Sequence, residues 1–194
     1  MFSMPPKETF LKQDAAYDHQ RGLYTEAIKH CTQFRIAIDV GAHIGFFSSK
    51  MVKDFKEVAA FEPMFSKYLK ENVPEDNLTI FPIGLSSHEA TYAFNIREHH
   101  TGMSKIDKNG KDKIACIDLD SMGFTGVDLI KIDVESHEYF VIEGMRNFLK
   151  TNSPVIIIEL NDVTHRANII QTLRSHGYVK VLTVDTDYIF KKGK

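Results

Sequence analysis

The chain has 194 residues, 43% hydrophobic and 26% charged, with 24 basic and 26 acidic side chains for a formal net charge of −2. That length and balance suffice for a genuine core in one domain and exclude a wholly disordered chain. Absent are the run of about 20 apolar residues that a spanning helix needs, the basic excess of a nucleic-acid binder, and, in Met1-Phe-Ser-Met-Pro-Pro-Lys7, the pattern of a secretory signal.

Residues 7–31 carry Phe10, Leu11, Ala15, Leu23, Tyr24, Ala27 and Ile28 at helical spacing interrupted by Gly22, which predicts two short helices. This N-terminal helical segment, residues 1–33, is expected to pack on a domain of residues 34–194, giving one domain overall. Phe34-Arg-Ile-Ala-Ile-Asp-Val40 is a β-rich run halted by Gly41, and 44–54 reads as a helix. Val58–Glu62 is a strand ending at Pro63, 65–73 a helix halted before Pro74, and Leu78–Ile83 a third strand. Thr91–Ile96 and Lys113–Leu119 run β-like on either side of a polar loop with Gly102 and Gly110, predicting an extra, hairpin-like strand pair. Val127–Val134 is a strand, 137–150 a helix, Pro154–Leu160 a strand, and 164–176 a helix ending at Gly177. Tyr178–Thr183 and Tyr188–Phe190 close the chain around Asp185-Thr-Asp187. Short apolar runs alternating with helices predict an α/β sandwich whose sheet is parallel through most of its width. The final pair is too close for a crossover helix, so one antiparallel strand is expected near an edge.

Cys31 and Cys116 are too few and too far apart for a disulfide framework or a metal knuckle, and a reducing, cytoplasmic setting fits them best. The lysine-rich run from Lys105 to Lys113 is diluted by Asp107 and Asp112 and reads as a solvated loop.

The first strand feeds Asp39-Val-Gly-Ala-His-Ile-Gly45, and in open α/β sheets ligands bind beyond the carboxyl ends of the strands. Gly41 permits a tight turn, while Ala42 and Gly45 are small enough for a ligand to approach the backbone. Asp39 is expected to face the cleft. Glu62, 23 residues further on, ends the next strand, where an acid can accept hydrogen bonds from both hydroxyls of a ribose. The combination points to an adenosine-containing cofactor; the plain alternative is a bare strand-to-helix turn. A nicotinamide fingerprint wants glycines at 41, 43 and 46, but His43 and Phe46 occupy two of those places. S-adenosylmethionine carries no phosphate, and its ammonium and carboxylate suit Asp39 with the 41–45 backbone.

A second constellation is Asp128-Leu-Ile-Lys-Ile-Asp-Val-Glu-Ser-His-Glu138. Lys131, Asp133 and Glu135 alternate, so in a strand they share one face and point into the same crevice. Such charges are costly to bury unless paired or functional, and a structural ion pair of Lys131 with an acid is the plain alternative. His137 begins the next helix, and Glu159 ends the next strand.

With Ile38-Asp-Val-Gly-Ala-His-Ile-Gly-Phe-Phe-Ser48, Phe61-Glu-Pro63, Gly84-Leu-Ser86, Ile117-Asp-Leu-Asp120 and Leu129-Ile-Lys-Ile-Asp-Val-Glu135 in order, followed by Gly144 and Glu159, the chain resembles the FkbM-type methyltransferases over roughly 34–160. The resemblance implies a class I fold, a three-layer Rossmann-like sandwich in which the 90–118 strands replace a helix. It implies S-adenosyl-L-methionine as cofactor, S-adenosyl-L-homocysteine as product, and methylation of a hydroxyl on a sugar or small natural product. Carried over by position, Asp39, Gly41, Ala42, His43 and Gly45 line the methionine end, and Glu62, with Pro63 after it, holds the ribose. Gly84, Leu85 and Ser86 lie against the adenine, and Asp133 and Glu135 sit near the transferring methyl. His43 replaces the family's usual Asn, and Ser136 its usual Gly.

An alcohol acceptor benefits from a base that takes its proton as the new bond forms. Asp133, Glu135 and His137, in that order, are the candidates, and His99-His100 can contact an acceptor. Asp133, Glu135, Glu159 and Asp162 are too scattered along the chain for a metal signature, so no required metal is expected. The partner expected is a small-molecule or carbohydrate hydroxyl acceptor, with no membrane. Nucleic acid is disfavoured: 133–136 reads Asp-Val-Glu-Ser where base amino-methyltransferases carry an Asn/Asp-Pro-Pro-aromatic loop, and neither cysteine follows a proline. Two further classes suit an α/β sandwich of this kind. One is a nicotinamide-dependent oxidoreductase, for which Tyr68 and Tyr139 lack a lysine four residues on, and the second is a non-catalytic nucleoside-binding module.

Overall fold

Five apolar runs supply the parallel part of the sheet: β1 (Ile36–Val40), β2 (Glu57–Phe61), β3 (Leu78–Phe81), β8 (Val127–Ile132) and β9 (Val155–Glu159). In the computed structural model, which describes residues 2–9 and 22–193, they pair in parallel. β10 (Tyr178–Val184) and β11 (Asp187–Lys192) complete a seven-stranded sheet of order β10-β11-β9-β8-β1-β2-β3. β11 is antiparallel to both neighbours, as the short 185–187 connection requires.

Alternation along the strands divides the core into two layers. Ile38, Val40, Ile130, Ile132, Ile156 and Ile158 face one side, where α4 (Glu138–Glu143), α5 (Phe148–Thr151) and α6 (Val163–Ser175) bring Val141, Leu149 and Leu173. Ala37, Val58, Ala60, Leu129 and Ile157 face the other, against Met51 of α2 (Ser48–Asp54) and Leu69 of α3 (Ser66–Asn72). Leu23, Tyr24 and Ala27, from the helical stretch α1 (22–28 among the described residues), are buried in this second layer, and the Tyr24 hydroxyl donates to Asp54 at 2.7 Å. Gly22, expected as a break, is itself helical: the burial of its neighbours outweighs the glycine penalty of about 1 kcal/mol. The first of the two helices expected over 7–31 falls largely on residues 10–21, outside the described residues, and 2–9 is irregular apart from one turn.

The structure departs from the sequence expectation in two other places, while the extra strand pair forms as expected, outside the central sheet. β5 (Ala90–Asn95) and β7 (Asp112–Ile117) pair antiparallel, and with β4 (Gly84–Leu85) and β6 (Lys105–Ile106) they build a separate four-stranded sheet of order β4-β7-β5-β6. Their alternating exposed and buried positions suit a sheet with one face toward water. Leu85 joins the α4–α6 layer, so the small sheet docks on that face. The lysine run 105–113 is accordingly not one solvated loop, since β6 and the start of β7 lie within it. The helix expected over 137–150 is two, because Asp120 accepts from the backbone N–H groups of Asn147 (2.9 Å) and Phe148 (2.6 Å) and starts α5 afresh. No helix among the described residues is long and apolar enough to cross a membrane.

The chain runs from β1 to β2 and β3 on one side, while β8 occupies β1's other flank. The carboxyl ends of β1, β2, β8 and β9 thus deliver Gly41, Glu62, Asp133 and Glu159 to one edge at a switch in strand order.

Candidate active site

Two adjoining cavities open at that edge. The first, of about 610 Å³, has an apolar half walled by Val40, Phe61, Leu85, Phe94 and Ile114, and it also receives Gly41, His43, Glu62, Pro63, Gly84 and His137. The second, of about 680 Å³, is polar and is lined by Gly41, Ala42, His43, Phe47, His100, Lys131, Asp133, Glu135 and Glu159. His43, Asp133 and Glu135 belong to both.

The glycine turn is built by its backbone. Gly41 has φ 75°, and a Cβ there would lie 2.0 Å from the Asp133 carbonyl oxygen. The N–H groups of Gly41 and Ala42 both donate to Phe61 O, at 3.0 and 3.2 Å, and that of His43 donates to the Glu62 carboxylate at 2.8 Å. These three amides are therefore spent inside the protein and are not available to a diphosphate, nor to the cofactor carboxylate that the sequence assigned to them. Gly45 turns away from the cavity, because its φ of 101° sets it where a Cβ would strike Leu69 of α3 at 2.9 Å and Val73, just past that helix, at 2.7 Å. It serves close packing of the turn on α3 rather than ligand approach.

Glu62 accepts from Met64 N (2.8 Å) and Phe65 N (2.9 Å) on its other oxygen. Burial raises its pKa, opposed by these backbone donors. A carboxylate has about four acceptor sites, so three protein donors still leave it capacity toward the cavity.

Asp39 does not face the cleft. It is 0% exposed beneath the turn, because it sits on the strand face that packs against α2, where Ser48 Oγ donates to it at 2.7 Å. Lys131, its register neighbour on β8, lies 3.7 Å from Asp39 and 3.4 Å from Asp133, donates to Gly41 O at 2.9 Å and stands over the Phe47 ring. Burial works against the ammonium, but Asp133 and Asp39 outweigh it and hold its pKa above the ordinary value. Lys131 thus makes a buried ion pair, the plainer of the two sequence readings, and also ties the two turns together.

Beyond β8 the backbone enters the left-handed region at Glu135 (φ 51°) and Ser136 (φ 76°). Glu138, 2% exposed, clamps this turn by accepting from Val134 N (3.1 Å) and Ser136 N (3.2 Å). Nothing in the sequence pattern assigned Glu138 a role beyond its place three residues after Glu135. Asp133, Glu135 and Glu159, which looked scattered along the chain, present carboxylate oxygens within 4.8 Å of one another. Asp162 is not with them: it caps α6, accepting from Thr164 N at 2.8 Å. Burial, then Asp133 and Glu138, push Glu135 up to about 7, and burial with Asp133 pushes Glu159 higher still.

His137 is buried, 2.9 Å from Ser86 Oγ and stacked on Phe140, and burial pushes its pKa down to about 4. Ser86 is wholly buried between His137 and Tyr92, whose hydroxyl is 3.0 Å away, and lines neither cavity. His100 reaches the second cavity, whereas His99 Nδ1 is taken up by Lys7 O at 3.0 Å.

A family model described as the methyltransferase FkbM domain matches residues 39–180, most of the chain, from the Asp39 turn to β10. The chain belongs to the FkbM methyltransferase family. It is 29% identical over 158 residues to the hexuronic acid methyltransferase AglP of Haloferax volcanii, covering 74% of this chain and 64% of that protein. Among solved structures it resembles the FkbM methyltransferase of Methylobacillus flagellatus KT, with TM-score 0.58, 15% identity, and coverage of 97% of this chain and 48% of that one. It also resembles precorrin-6y C5,15-methyltransferase of Geobacter metallireducens GS-15, with TM-score 0.55, 12% identity, and coverage of 89% and 88%. At these identities the solved structures establish the fold, a Rossmann-like methyltransferase sandwich. This FkbM chain spans 64% of AglP and about half of the Methylobacillus protein.

Proposed function

We propose that this FkbM domain binds S-adenosylmethionine and methylates a hydroxyl group on a sugar, glycan or small hydroxylated metabolite. The observation that carries the cofactor reading is the division of the cavity. An apolar slot leads past the Glu62 carboxylate to a turn whose Gly41, Ala42 and His43 amides are already bonded within the protein, and then to Asp133, Glu135 and Glu159. That sequence of surfaces suits a nucleoside with a cationic tail and disfavours a diphosphate. Leu85 and Phe94 would flank the base, Glu62 the ribose, and Ala42, His43 and Asp133 the methionine end; Asp39 and Gly45 act one layer back, by shaping the turn. When bound, S-adenosylmethionine supplies an electrophilic methyl group on a sulfonium.

Of the three candidate bases, Glu135 fits best. Its pKa of about 7 matches the requirement for a proton acceptor working near neutrality. His137 is held at the adenine side by Ser86 with its basicity suppressed, and we assign it to the pocket wall. Asp133, paired with Lys131, positions the reacting groups beside Glu135. A carbohydrate acceptor is supported by the name of the relative AglP, a hexuronic acid methyltransferase, and by the polar second cavity, and α1, over residues 22–28, belongs to the same domain in this reading.

Thermal unfolding with S-adenosylmethionine, S-adenosylhomocysteine and NAD, each at about 100 times a plausible dissociation constant, tests the cofactor. A native-state ligand at that excess adds about 2.7 kcal/mol. Stabilisation by the two sulfur nucleosides and not by NAD is the expected result; stabilisation by NAD alone refutes the reading.

A further inference from the structure

Residues 2–9 cross the roof of the site. The Phe2 ring meets Phe46 edge-on at 4.8 Å, and Ser3 exchanges backbone hydrogen bonds with the Asn72 side chain, which also donates to Ile44 O at 2.9 Å. At the other end Thr9 N donates to His99 O (3.2 Å), and Lys7 pairs with Glu98 at 2.8 Å. Exposed pairs of this kind contribute little each. Their combined effect is to set one side chain, Glu8, over residues 100–104. Glu8 Oε2 accepts from both the backbone N–H and the hydroxyl of Thr101, each at 2.6 Å. Thr101 is buried, and its Oγ1 lies 2.9 Å from His43 Nε2.

We propose that Glu8 is a positioning residue for the cofactor: acting through Thr101, it fixes His43 as the Nε2–H tautomer and so presents Nδ1 as an acceptor for the cofactor's ammonium group. A threonine hydroxyl has one proton. Because that proton goes to Glu8, Thr101 Oγ1 faces His43 with a lone pair, and Nε2 must donate. A neutral imidazole carries one N–H, so Nδ1 is left bare. The ring is neutral: burial and the charges of Lys131 and His100 lower its pKa to about 4, against the opposing pull of Asp133 and Glu8. Phe65, edge-on at 5.0 Å, fixes the ring plane, while Glu62 holds the His43 backbone N–H. Without Glu8 the Thr101 hydroxyl is free to donate to Nε2, and the tautomer reverses, turning an N–H toward a cationic ligand.

The role of Glu8 rests on the cofactor reading above, and the test separates the two. Ring-nitrogen NMR of ¹⁵N-histidine-labelled full chain, assigned with His43→Asn, reads the tautomer directly. Titration with S-adenosylmethionine gives affinity. The wild type is expected to show Nε2–H at His43. Glu8→Ala and the near-isosteric Thr101→Val are expected to shift the ring toward Nδ1–H and weaken binding about tenfold or more, with Thr101→Ser restoring both. A wild-type Nδ1–H tautomer overturns the proposal. So does a Glu8→Ala variant that keeps both tautomer and affinity, as a merely structural strap would. A wild type with the expected tautomer that binds no S-adenosylmethionine overturns instead the cofactor reading, and with it the purpose assigned to Glu8.

Discussion

The turn after β1 passes through left-handed backbone at Gly41 (φ 75°), His43 (φ 52°) and Gly45 (φ 101°), whereas the turn after β8 takes Glu135 (φ 51°) and Ser136 (φ 76°) through the same region with no glycine. Each is clamped by a buried glutamate accepting backbone N–H groups: Glu62 holds 43, 64 and 65, and Glu138 holds 134 and 136. In the first turn the glycines answer to sterics, since a Cβ at 41 or 45 would collide with Asp133 O or with α3. In the second, each non-glycine residue in the left-handed region costs about 1–2 kcal/mol, and the strained segment carries the Glu135 carboxylate to Asp133 and Glu159. The first turn takes its left-handed backbone on glycines except at His43, whereas the second takes it wholly on residues with side chains, and in the reading proposed above that strain serves to place a reactive group.

The sharpest way to break this contrast is Glu135→Gln. If the second turn exists to present a base, methyl transfer to a hydroxylated sugar panel should fall by about 10²- to 10⁴-fold while S-adenosylhomocysteine binding stays within a few-fold. The base must be deprotonated to act, so the wild-type rate should rise with pH through about 7 and level off above it. A variant that keeps that limb would remove Glu135 from the chemistry.

Next in size is Lys131→Met, which takes away the cation shared by Asp39 and Asp133 and leaves a buried carboxylate uncompensated. Urea unfolding should show a loss of about 3–5 kcal/mol. Adding Asp39→Asn should recover part of it, because the orphaned charge is then gone.

Gly41→Ala should cost about 2–4 kcal/mol, combining the left-handed penalty with a clash that only backbone movement can relieve. A smaller loss would mean that the first turn is not the rigid partner. Ser136→Gly works in the opposite direction. It should add about 1 kcal/mol and raise the midpoint by about 2–4 °C for a chain of this size. If the strain positions Glu135, this more stable variant should turn over more slowly.

The α/β order, the antiparallel β11, both turns and the polar residues of the first cavity at the strand ends were legible in the sequence, because strand runs, glycines and the acids at strand ends are local signals; its apolar wall from Phe94 and Ile114 was not. The resemblance to FkbM-type enzymes rested on the same residues. What stayed hidden was the side each charge would take. Asp39 reads as a cleft residue until β1 is paired with β8 and packed on α2; it then lies under the turn with Ser48 and Lys131. Ser86 reads as an adenine contact until Tyr92 and His137 enclose it. Glu8 carries no local signal, since its partner Thr101 is 93 positions away.

The sequence by itself therefore determined the layered fold, the edge of the sheet where a ligand belongs, and the inventory of acids available there, all consequences of period and of backbone freedom at single residues. Tertiary structure alone decided that β4 and β6 would join the middle strand pair in a second sheet, that the 137–150 helix would restart at Asp120's carboxylate, and that Asp133, Glu135 and Glu159 would converge while Asp162 went to a helix cap. Burial and charge proximity depend on distances between segments remote in the chain, and those distances exist only once the sheet has closed.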